Sequence, residues 1–205
     1  MKEEAVILVH GVWMRAFSLL LLRQRLRDAG FHAELFSYAS VLGNDARSLE
    51  RLCRHAEGLE ASKVHFVGHS LGGLLAIRAA NQFSHDRVGR VVCLGSPLNG
   101  SAVARRLPKL LGAGADMLCR GLMPTAVPAE VGVIAGTQPI GLGRLMGAFS
   151  GPNDGTVSVA ETRWSGVTAH CEVNTSHSGL TLSREVADLT AYFLRSGCFE
   201  TRRRT

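Results

Sequence analysis

No CxxC pair occurs in this chain, and its five cysteines, at positions 53, 93, 119, 171 and 198, are an odd number. That argues against a disulfide framework. Cys93 and Cys171 fall inside apolar, strand-like runs, where a thiol behaves as a small hydrophobe. Reduced cysteines suit a cytoplasmic protein. Neither a signal peptide nor a membrane span precedes the first strand-like run at Ala5, so the expectation is a cytoplasmic chain with no integral membrane segment. The dinucleotide fingerprint G-x-G-x-x-G is missing. So is any cluster of carboxylates that would make a calcium site, and no cofactor or metal is expected.

Basic charge is present but unpatterned. The net charge of +6 is carried almost wholly by arginine. The arginines are scattered, with no basic stripe interleaved with aromatics, so nothing points to nucleic acid. The Arg202-Arg203-Arg204 tail reads as a frayed, solvated end. No linker, composition shift or solenoid-period repeat divides the chain. Its 205 residues, 46% apolar and 20% charged, suit one domain over 1–205 with a sizeable core.

What is there is an alternation. Ala5–His10, Phe31–Ala39, Lys63–Val67, Arg90–Leu94, Val131–Gly136 and Val167–Val173 read as strands, most of them nearly all apolar. Between them, Phe17–Ala29, Asp45–Glu60 and Leu71–Phe83 read as helices, and Leu180–Arg195 as a final one. The first helix carries leucines on one side and Arg, Gln and Asp on the other, and Gly30 stops it. Ser101–Leu122 is helical but broken by Pro108 and several glycines. The expected fold is α/β: a mostly parallel sheet of about six strands with helices on both faces and right-handed crossovers. No large lid domain fits in this length, and 101–128 is the candidate small cap. Ligands of such sheets sit beyond the carboxyl ends of the strands.

One strand end stands out. Gly68-His69-Ser70-Leu71-Gly72 fits G-x-S-x-G, with a strand before it and a helix after. A sharp turn there forces the serine into a strained backbone conformation and lifts its hydroxyl over the sheet edge. A lone serine is a poor nucleophile and needs a base, which needs an orienting acid. In the order Ser, acid, His, the base candidate is His177, on the loop after the last strand. His170 is its rival, but it lies mid-strand. The acid candidate is Asp154 in Gly-Pro-Asn-Asp-Gly-Thr-Val, with Glu161 as a substitute and Asp116 too early. The Leu71 N–H at the helix start and the Val12 N–H after the first strand would face one developing oxyanion. Trp13, Leu98, Met146 and Phe149 are candidates for an apolar substrate wall.

The segments "VILVHGVW" (6–13), "VGHSLGG" (67–73), "LGSPLNGS" (94–101), "GPNDGTVS" (151–158) and "TSHSGL" (175–180) together resemble the bacterial lipase/esterase branch of the α/β-hydrolase superfamily. The resemblance spans nearly the whole chain in the family's order. It implies serine hydrolase chemistry on small-molecule or lipid carboxylic esters, with Ser70, Asp154 and His177 as a triad and Val12 and Leu71 as the oxyanion hole. A thioesterase or acyltransferase would use the same triad. A non-catalytic binding module would need none of it. Oligomeric state is not legible in the sequence.

Overall fold

Strand β1 (Ala5–Val9) shows why the sheet forms. Every residue of it is buried, and successive side chains point to opposite faces. Ala5, Ile7 and Val9 join one hydrophobic cluster and Val6 and Leu8 the other. A run of five apolar residues is thus what a strand covered on both sides requires. Each fully buried leucine, isoleucine or phenylalanine contributes roughly 1.5–3 kcal/mol relative to exposure.

The computed structural model describes residues 4–41, 43–83, 86–107, 111–123, 126–140 and 151–199. The remaining strands are β2 (His32–Phe36), β3 (Val64–His69), β4 (Val88–Leu94), β5 (Val131–Gly136) and β6 (Ala169–Val173). They form one six-stranded sheet in the order β2-β1-β3-β4-β5-β6, and every adjacent pair is parallel. The helices are α1 (Leu20–Asp28), α2 (Asp45–Glu57), α3 (Leu71–Gln82), α4 (Ala102–Arg106), α5 (Ala115–Arg120) and α6 (Arg184–Ser196). The cluster on one face takes Leu49 and Leu52 from α2 and Leu74 and Leu75 from α3. The cluster on the other takes Leu22 and Leu26 from α1 and Val186 and Phe193 from α6. The α/β architecture read from the alternation is the one observed.

Two local readings shift. The expected helix over Phe17–Ala29 begins as a 3-10 turn, Ala16–Leu19, and becomes α-helical at Leu20. Its leucines do not share one side: Leu19, Leu22 and Leu26 are buried, whereas Leu20 and Leu21 are 44% and 42% exposed. At about 100° per residue, four consecutive leucines sweep around most of the helix and cannot all face the sheet. The last helix starts at Arg184 rather than Leu180, because the Ser183 side chain caps it by accepting from the Val186 N–H. Residues Gly179–Thr181 form a separate 3-10 turn.

The strand order locates the crevice. From β1 the chain crosses to β2 on one side, then returns to β3 and continues outward on the other. The direction of winding reverses between β1 and β3, where Val9 pairs with Gly68. Loops leaving a parallel sheet at such a point diverge to opposite faces and open a cleft at the strands' carboxyl ends. The His10-Gly11-Val12 loop and the turn at Ser70 leave from those two strands.

Candidate active site

Ser70 sits in the turn between β3 and α3 with φ 55° and ψ −123°. Among the described residues, Ser70 and Trp13 are the two non-glycine residues at positive φ, one directly after β3 and the other in the loop after β1. Such conformations cost about 1–3 kcal/mol and persist where the surroundings enforce them. Here the enforcement is visible. The Ser70 N–H donates to Leu94 O at 2.9 Å. A Cβ at Gly68 would overlap the Gly72 carbonyl, so the turn can close only with glycine at 68. Among the described residues the Ser70 hydroxyl makes no hydrogen bond.

His177 and Asp154 come together from two loops. His177 Nδ1 lies 2.7 Å from Asp154 Oδ2. Asp154 is buried, and its other oxygen accepts from the Thr156 N–H at 2.9 Å and the Val157 N–H at 2.8 Å. Two backbone donors hold one oxygen and leave the second for the imidazole. A carboxylate only accepts, so Nδ1 carries the hydrogen, and in the neutral ring Nε2 then keeps the lone pair that a proton acceptor needs. The His177 N–H also donates to Asp154 O at 2.9 Å.

The imidazole of His177 packs on that of His69, the residue before Ser70, with ring centroids 4.6 Å apart. His69 Nε2 donates to the His177 carbonyl at 2.9 Å. Burial, and then the neighbouring His177, push the His69 pKa down to about 3.

On the other side of Ser70 the first loop approaches closely: a Cβ at Gly11 would stand 2.9 Å from Ser70 Cβ. The loop is pinned by Tyr38, whose hydroxyl donates to His10 O at 2.9 Å and whose ring stacks on His10 at 4.5 Å. His10 Nδ1 donates to Gly11 O at 2.9 Å, and burial holds its pKa below the usual histidine value. Among the described residues, neither the Val12 N–H nor the Leu71 N–H has a hydrogen-bond acceptor. Leu71 is the first residue of α3, where the N–H groups have no intrahelical partner.

The other named residues divide. Trp13 is 55% exposed beside this loop, whereas Leu98 is fully buried in the same core cluster as Leu71. Met146 and Phe149 lie outside the described residues. His170 Nε2 is taken up by Thr162 Oγ1 at 2.9 Å. Glu161 is buried with both oxygens taken by main-chain donors: Oε2 accepts from the Ser158 N–H at 2.7 Å and Oε1 from the Ala102 N–H at 2.5 Å. Asp116 pairs with Arg120 along α5.

Three residues of the site carried no distinct signal in the sequence. Tyr38 reads as one more strand residue and His69 as part of the turn. Gly95 reads as an ordinary strand end, yet it has φ +54°, and a Cβ there would lie 2.9 Å from Asp154 Oδ2 and 3.1 Å from His177 Nδ1. Among the described residues no group of three His, Cys, Asp or Glu side chains is placed to hold a metal ion. No helix among them is long and apolar enough to cross a membrane.

Known structures share this architecture. The mature form of Bacillus licheniformis lipase BlEst2 superposes with a TM-score of 0.72 at 18% identity, over 96% of this chain and 92% of that one. A metagenomic carboxyl esterase gives 0.71 at 17% identity, over 86% of this chain and 65% of its own. Polyneuridine aldehyde esterase gives 0.66 at 14% identity, over 95% and 100%. At these identities the likeness is one of fold. Curated protein sequences contain no match to the chain. Its sequence does match the alpha/beta hydrolase family from residue 6 to residue 195. The match runs through every strand and the Ser70 turn, and the chain belongs to that family.

Proposed function

We propose that the protein is a serine hydrolase of carboxylic esters, acting on small-molecule or lipid substrates through an acyl-enzyme on Ser70. The observation that carries this reading is the 2.7 Å contact between Asp154 and His177, made against the turn that holds Ser70 at positive φ. A buried carboxylate, an imidazole with a free Nε2 and a strained serine have no joint use in simple binding.

Ser70 Oγ attacks the ester carbonyl carbon while His177 Nε2 takes its proton. The carbonyl oxygen becomes an oxyanion facing the Val12 and Leu71 N–H groups, each worth about 3 kcal/mol of barrier in comparable sites. The tetrahedral species collapses, the ester C–O bond breaks, and the imidazolium returns its proton to the leaving alkoxide. Water then attacks the acyl-enzyme by the same route, releasing the acid and restoring Ser70. Asp154 keeps the imidazole in the required tautomer throughout. The Ser70–His177 hydrogen bond, not made here, is one that commonly tightens only with substrate in place. The exposure of Trp13 beside the loop that carries Val12 supports a part for it in the substrate wall.

Hydrolysis of a chain-length series of p-nitrophenyl esters, and labelling by a serine-directed phosphonate, test the proposal. Wild-type protein should take one label and turn over short esters, and Ser70→Ala should do neither. Full labelling of Ser70→Ala would remove the assignment.

A further inference from the structure

His69 is an enclosed titratable group at the site that the reaction above leaves unused. It ends β3 and is almost fully buried. A carbonyl oxygen only accepts, so the contact with His177 O puts the ring hydrogen on Nε2. Nδ1 is then a bare lone pair, and it finds no partner among the described residues. A buried polar atom without a partner is uncommon and asks for a reason. The ring stays uncharged in this surrounding, so it has no part in moving the proton.

The reason lies in how His177 is held. Its N–H and its Nδ1 both go to Asp154. Those two bonds fix His177 to the 151–158 loop and say nothing about its distance from Ser70. The third bond, from His69 Nε2 to the His177 carbonyl, joins the imidazole-bearing loop to the β3–α3 turn. His69 and Ser70 are consecutive, so the bond ties the loop to the residue next to Ser70.

We propose that His69 is a positioning residue: its Nε2–H clamps the His177 main chain to the turn bearing Ser70 and so sets the reach between the hydroxyl and the imidazole. The proposal rests on Ser70 and His177 acting as nucleophile and base. The unpaired Nδ1 is the consequence of needing a rigid, neutral N–H donor at this point.

Two substitutions separate clamping from filling space. His69→Phe keeps a ring and loses the donor, and His69→Gln keeps an N–H at similar reach. The expected result is a kcat lowered about 10- to 100-fold in His69→Phe with KM within about twofold, and recovery to within about threefold of wild type in His69→Gln, as for a sub-ångström loss of alignment. Proton NMR of the folded proteins gives a readout that needs no substrate. The far-downfield His177 Nδ1–H signal should be sharp in wild type and His69→Gln and exchange-broadened in His69→Phe. An unchanged kcat and signal in His69→Phe overturns the proposal, and so does equal damage in both variants. Should His69→Phe not fold, His69→Met takes its place. If wild type neither turns over esters nor takes the phosphonate, the ester-hydrolase reading fails, and the NMR comparison still decides whether His69 clamps His177.

Discussion

Asp154 holds His177 twice: its carboxylate meets the imidazole Nδ1 at 2.7 Å, and its main-chain carbonyl takes the His177 N–H at 2.9 Å. The double attachment fixes both the ring orientation and the backbone that carries it. It also separates the two acidic residues that compete for the role in the sequence.

Asp154→Asn should therefore lower kcat about 10³- to 10⁴-fold, because an amide donor facing Nδ1 selects the wrong imidazole tautomer. Glu161→Gln should keep kcat within about tenfold of wild type while costing about 1–3 kcal/mol of stability, since it disturbs two part-buried backbone contacts and no contact to the imidazole. Ester kinetics and denaturant melts on both variants check the contrast. Equal loss of kcat in the two would contradict the division of roles.

Gly95→Ala should damage activity more than its size suggests. Its backbone is at φ +54°, and the new methyl would press on Asp154 Oδ2 and His177 Nδ1. We expect about 1–3 kcal/mol of destabilisation from the backbone alone and at least about a tenfold loss of kcat from displacing the pair. The measurement is kcat at a temperature where circular dichroism shows the variant folded.

Acid should destabilise the fold in a defined window. His69 has its pKa lowered from 6.5 to about 3, chiefly by burial, and His10 and His65 are lowered for the same leading reason. His69 is neutral when folded and free to protonate when unfolded, so between these two values the unfolded chain binds more protons and stability falls as pH falls; His10 and His65 act in the same direction. The His69 contribution is complete above pH 6.5 and declines toward pH 3, at up to about 1.4 kcal/mol per pH unit. Melts at a series of pH values should show a shallower acid slope in His69→Gln than in wild type. An identical slope would mean that His69 is not held neutral by the fold.

The phase of α1 is open to a simpler check. Leu21→Lys, on the exposed side, should change stability by no more than about 0.5 kcal/mol, whereas Leu22→Ala, fully enclosed, should cost about 2–5 kcal/mol. Urea melts of the two variants measure the difference. A large cost at Leu21 would mean that another surface covers it.

Much of the layout was legible in the residues alone because its signals are local. Apolar runs marked most of the strands to within a few residues, and the alternation over Phe31–Ala39 marked β2. The glycines around Ser70 marked a turn that admits no side chain at 68, and the order of Ser70, Asp154 and His177 singled out three positions. The leucine run at 19–22 misled because periodicity is ambiguous where four apolar residues follow one another. The helix start at 184 depended on a serine cap that looks like any other serine.

Sequence patterning was enough for an α/β chain with a serine on a strained strand-to-helix turn, since period, punctuation and backbone sterics act between neighbouring residues. Tertiary structure alone decided that winding reverses between β1 and β3, that Asp154 rather than Glu161 meets the imidazole, and that His69, Gly95 and Tyr38 shape the site. Those outcomes rest on hydrogen bonds and close contacts between segments far apart in the chain. The His69–His177 bond spans 108 residues, and no pattern among neighbours encodes a contact that exists only after the sheet has assembled.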